Sequence, residues 1–116
     1  MTMTDREVRD EARRRVRAGF LWLMVEGRTL ALDGRINPRT VDTSDIFLCP
    51  LAQAGRSTYT EVLERLGRCG FKGIQDFLIA KGFVAEDQID HAALNRAWRD
   101  LLKLHSVIHE AEAVLT

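Results

Sequence analysis

The run DHAALNRAWRDLLKLHSVIHEAEAVLT, residues 90–116, decides the fold class. Leu94, Ala97, Leu101, Leu104, Ile108, Ala111 and Leu115 recur there in a seven-residue a/d pattern, and Trp98 and Leu102 widen the stripe. Steps of three and four residues bring side chains to one face of an α-helix. Asp90 has the right chemistry to cap its first turn, since a short carboxylate accepts from the free N–H groups there. The pattern predicts a long C-terminal helix that buries one face.

The other end of the chain mirrors it. Thr4-Asp5-Arg6-Glu7 has the form of a capping box. From there Val8, Ala12, Val16, Gly19, Phe20 and Leu23 share one face, which predicts a helix to about Val25 with Gly27 as a left-handed C-cap. Between the ends the signals are short. Pro50 fits the first turn of a helix that closes near Gly55. Thr58-Tyr59-Thr60-Glu61 is a second capping box, opening a helix with Val62, Leu63 and Leu66 inward and Gly67 or Gly70 at its end. Ile74 to Lys81 reads as a further helix, closed by Gly82 with Phe83 folding back. Residues 28–48 read as a connection with one or two short helical turns; a hairpin around Asp33-Gly34 is the competing reading. No useful β alternation occurs. The expectation is one all-α domain over residues 1–116, a compact bundle of two longer terminal helices packed around several short ones.

Composition narrows the function classes. The 17 basic and 17 acidic residues of this 116-residue chain cancel, so no global field draws it to nucleic acid or an anionic membrane. Cys49 and Cys69 form no CxxC unit, which excludes a zinc ribbon. They read as two buried thiols of a reducing compartment, with a disulfide between them as the alternative. The apolar stretch from Ala18 to Val25 is too short and too closely preceded by acids for a signal peptide, and no run reaches the ~20 residues of a spanning helix. The expected location is the host cytoplasm, with no membrane contact.

Four groups of residues have chemistry to weigh. Arg6, Arg9, Arg13 and Arg17 fall within about 80° on the first helix, a spacing suited to gripping phosphates or an acidic protein. Asp10 shares their side, Glu11 can reach Arg14 and Arg15, and Thr4 to Arg17 nets only +2, which favours a solvated face. His105 and His109 are spaced for a helical metal site, but a third ligand would have to come from Glu112, His91 or a cysteine, so no metal is expected. Cys49 sits in Phe47-Leu48-Cys49-Pro50-Leu51, an apolar setting that keeps a thiol inert, and Gly67, Gly70 and Gly73 lack the lysine of a phosphate loop. The C-terminal stripe is core first; its last turns, with Ile108 and Leu115, are candidates for association with a second copy or a partner. Gln53 is expected to staple the Asp42–Asp45 connection to the short helix.

The order Leu32, Ile36, Val41, Cys49-Pro50-Leu51-Ala52-Gln53, Gly55, Tyr59, Leu66-Gly67, Gly82-Phe83, Leu94 and Trp98 resembles a set of small uncharacterised proteins of actinobacteria and their bacteriophages. The similarity spans roughly residues 16 to 102, with Ala31-Leu32 where a tryptophan is often found. It implies a compact helical accessory protein of a phage or prophage that binds a host or phage macromolecule. It implies no catalytic residue and no cofactor. The expectation is therefore a non-enzymatic protein that binds a protein partner, with Arg6, Arg9, Arg13, Arg17, Ile108 and Leu115 as the candidate surface. A nucleic-acid-associated protein using the arginine face is the alternative.

Overall fold

The computed structural model describes residues 2–68, 70 and 72–115, with side chains of the last helix described through 106. Among these residues five helices form: α1 (Asp5–Glu26), α2 (Pro50–Gly55), α3 (Tyr59–Arg68), α4 (Ile74–Ala80) and α5 (His91–Leu115). No strand forms among the described residues; Glu86 and Ile89 make an isolated bridge. The protein is all-α, and its two long terminal helices pack on each other.

The start of α1 follows from its capping box. Thr4 accepts from Glu7 N and the Glu7 carboxylate accepts from Thr4 N, so two otherwise free donors are satisfied. The helix buries Ala12, Val16, Gly19 and Leu23. On α5, Asp90 accepts from Ala93 N at 2.9 Å, and Leu94, Ala97, Trp98 and Leu102 go into the core. The helices run parallel: the same sequence offset joins Met3 N to the Gln88 side chain and the Phe20 ring to the His105 ring.

Parallel neighbours need a crossover, and the middle of the chain supplies it. Its closest approach is at the end of α4. Gly82 N donates to Ile79 O and Phe83 N to Leu78 O, the paired bonds of a Schellman end, with Gly82 at φ 72°. That turn lies on the α1 backbone. A Cβ on Gly19 would stand 2.0 Å from Lys81 O, and one on Gly82 would stand 2.9 Å from Val16 N. Above the contact Trp98 is fully buried, donates from Nε1 to Gly82 O at 2.8 Å, and stacks on Phe83. Trp22 and Phe77 extend the same aromatic cluster edge-on.

Several expectations are corrected. Gly27 is right-handed (φ −59°), not a left-handed cap. The turn runs on through it, Leu32 N donates to Gly27 O, and the left-handed residue is Ala31 at φ 56°. The expected end of α2 near Gly55 holds: the helix closes at Gly55, whose missing Cβ admits Val62, and the left-handed residue that follows is Arg56. The second capping box is half made: Glu61 N donates to Thr58 Oγ1, but the Glu61 carboxylate turns to the Ser57 hydroxyl. Leu104 is 57% exposed, although the a/d pattern placed it inside. The side facing α1 runs instead through buried Leu102 to the exposed His105, which lies edge-on against Phe20, because an unsupercoiled helix drifts about 20° per heptad from a strict seven-residue repeat. Asp33-Gly34 makes no hairpin; Gly34 N donates to Ala54 O instead. Residues 28–48 do contain two short helical turns, closed by Val41 N to Asn37 O and by Cys49 N to Asp45 O.

Candidate functional site

The second of those turns is tied down by several hydrogen bonds and yet carries exposed apolar side chains. Asp45 Oδ1 accepts from Phe47 N at 2.7 Å and Leu48 N at 3.1 Å. Leu48 O accepts from Asp42 N and from Gln53 Nε2, while Ile46 O accepts from Tyr59 N at 2.8 Å. Gln53 Oε1 reaches back to Asn37 N. The glutamine is thus the expected staple, but it grips the connection at Asn37 and Leu48, outside the Asp42–Asp45 segment.

Thr43 fastens the turn to α5. It is buried, its N–H and hydroxyl both donate to Asn95 Oδ1, and Asn95 Nδ2 donates to Asp42 Oδ1 at 3.1 Å. With the Thr43 proton directed to Asn95, the 2.8 Å contact with His91 makes His91 Nδ1 the donor. Asp42 Oδ1 also accepts from Ser44 Oγ and N; these bonds, the Ser44 hydroxyl first, hold the Asp42 carboxyl below its ordinary pKa.

On this pinned backbone Ile46, Phe47 and Leu48 are 50%, 63% and 37% exposed. Most of a phenylalanine left in water forgoes roughly 1–2 kcal/mol of burial. Cys49, the next residue, is buried; its Sγ accepts from Ala52 N as the cap of α2, and burial pushes its thiol pKa up. This is a packed structural thiol. Cys69, its alternative disulfide partner, lies outside the described residues.

Arg6, Arg9, Arg13 and Arg17 are all exposed on α1. None of the four side chains makes an ion pair or hydrogen bond among the described residues, so Asp10, on the same side, pairs with none of them. Glu11 does reach Arg14 and Arg15, and the Arg14 hydrogen bond holds its carboxyl down at about 2 against the opposing effect of burial. Arg9 and Arg13 face Arg96 across a groove of about 270 Å³, whose floor is Val8, Ala93 and Ala97 and whose rim also carries Asp5 and Asp100. The side chains of Ile108 and Leu115 lie outside the described residues, as do those of His109 and Glu112. His105 packs edge-on against Phe20, 5.1 Å between centroids. Among the described residues no group of three His, Cys, Asp or Glu side chains is placed to hold a metal ion, and no helix is long and apolar enough to cross a membrane.

A larger open groove, about 660 Å³, lies between Phe20–Met24, the 32–36 segment and Leu102–Ser106. Arg28, Asp33, Arg35 and His105 are exposed on it, and Asp33 is held by Arg56 at 3.2 Å. No family model matches the chain, and no curated protein or solved structure matches it either.

The Ile46–Leu48 surface has no counterpart among the residues the sequence singled out for binding. An apolar run reads as core. The available signal was the polar run ahead of it, Asp42, Ser44 and Asp45, whose short side chains tie off backbone donors and build turns.

Proposed function

We propose that this protein is a non-enzymatic binding module that docks a protein partner on the Ile46–Phe47–Leu48 turn. One observation carries the reading: three apolar side chains stand in solvent on a backbone fixed by Asp45, Gln53, Tyr59 and the Thr43–Asn95 clamp. Fixed apolar anchors bind without an ordering cost, because their conformation is set before the partner arrives. Aromatic anchors of this kind dominate interface energetics. The resemblance to small accessory proteins of actinobacterial phages agrees with such a role in a host cytoplasm.

The arginine face supports a second reading, a nucleic-acid contact, because its four guanidinium groups are free of acidic partners among the described residues. A third surface, the end of α5 with exposed Leu104, is the candidate for a homodimer.

Affinity capture with wild type, Phe47→Ala and Arg13→Glu/Arg17→Glu proteins separates these. The protein-binding reading expects one protein retained by wild type and by the arginine variant and lost with Phe47→Ala. Retention of nucleic acid that falls steeply with salt and disappears in the arginine variant would favour the second reading. Retention unchanged by Phe47→Ala would sink the first.

A further inference from the structure

We infer that the partner segment seated on the Ile46–Phe47–Leu48 turn is both apolar and basic: it places an apolar side chain against Phe47 and an arginine or lysine beside Asp42 and Asp45. This rests on the reading of the turn as a protein-binding surface and specifies what that surface selects.

The argument comes from what the two carboxylates leave over. Asp42 and Asp45 each use Oδ1 for the turn itself: Asp42 for Ser44 and Asn95, Asp45 for Phe47 N and Leu48 N. Oδ2 of each has no hydrogen-bond or ion-pair partner among the described residues. The nearest cation in sequence, Arg39, sits in the preceding turn; its N–H donates to Asn37 Oδ1, and it pairs with neither aspartate. Both carboxylates are half-buried, and Asp42 is held ionised by its hydrogen bonds. Two carboxylates, each with one oxygen to spare, border the apolar patch one turn of backbone apart, since Asp45 N donates to Asp42 O.

A neutral apolar partner would cover these carboxylates and strip their water with nothing in return, which costs several kcal/mol. An acidic partner would add repulsion. A guanidinium or ammonium group turns the same desolvation into a charge-assisted hydrogen bond. Electrostatic complementarity of this sort acts on encounter rate and selectivity, while the apolar anchor holds the complex.

The test is selection from a random peptide display library on the full-length protein, followed by counter-selection on Phe47→Ala. The expected binders need Phe47 and combine a large apolar residue with arginine or lysine. A synthetic peptide of the selected sequence should bind about tenfold more weakly to Asp42→Asn/Asp45→Asn, whose amide oxygens still accept every hydrogen bond of the turn. Should that variant fold poorly, salt dependence with wild type decides: the on-rate should fall several-fold between low and moderate salt. Phe47-dependent peptides that are neutral or acidic, or that ignore salt, overturn this inference and leave the docking surface intact. No Phe47-dependent peptide at all overturns both.

Discussion

Asp45 Oδ1 lies 2.7 Å from the backbone nitrogen of Phe47, and this bond holds the phenylalanine outside the core. The same oxygen accepts from Leu48 N, so one carboxylate satisfies two donors that no helix serves. Asp45→Ala should cost about 1–2 kcal/mol, the usual cost of losing a capping acceptor. Asp45→Asn, which keeps an acceptor, should stay within about 0.5 kcal/mol of wild type. Urea denaturation of the two variants checks the contrast.

Phe47 and Trp98 should behave oppositely. Phe47→Ser should leave stability unchanged within about 0.5 kcal/mol, since the ring is 63% exposed. Trp98→Ala should cost about 3–5 kcal/mol: it opens a cavity beside Phe83 and leaves Gly82 O without its indole donor. Thermal melts of both proteins measure the difference.

Two glycines on helices should also diverge. Gly19→Ala pushes a methyl into Lys81 O and separates α1 from the end of α4, so a loss above about 3 kcal/mol is expected. Gly67 lies within α3 with nothing within 4 Å of a Cβ. Gly67→Ala should stabilise by roughly 0.5–1 kcal/mol through helix propensity alone. Midpoints in urea report both.

Acid should loosen α1 in a defined window. The Glu11 carboxyl is lowered from 4.5 to about 2 by the Arg14 hydrogen bond, with Arg15 assisting. A lowered carboxylate favours the folded state above the unfolded pKa, and that contribution disappears as pH falls through the folded one. Stability should therefore decline from pH 4.5 toward pH 2. The share due to Glu11 is below about 1 kcal/mol, because Arg14 is largely in solvent. Glu11→Gln should flatten that part of the pH profile, measured by melting temperature.

Helix boundaries were legible where one side chain or one glycine dictates them: Thr4 with Glu7, Asp90, and Gly82-Phe83. Gly27 was misread because a glycine in sequence does not say whether it serves a left-handed turn or a close approach. Here it is the approach of Leu32 O, while Ala31 takes the left-handed conformation. Leu104 was misread because an a/d pattern assumes a supercoil. The outward face of Ile46–Leu48 was not legible at all. The turn that carries it is tied to α5 by Thr43 meeting Asn95 across 52 residues of sequence, a contact that local pattern does not encode. The arginine stripe was legible as a face, but its lack of acidic partners was not, because i,i+4 spacing permits an ion pair without enforcing one.

The most direct test replaces Phe47 with the photocrosslinker p-benzoylphenylalanine and irradiates the protein in its native cells. The account predicts a discrete adduct with one protein from position 47, and none from the same probe at Arg13. Adducts from Arg13 or Leu104 with nothing from position 47 would contradict it.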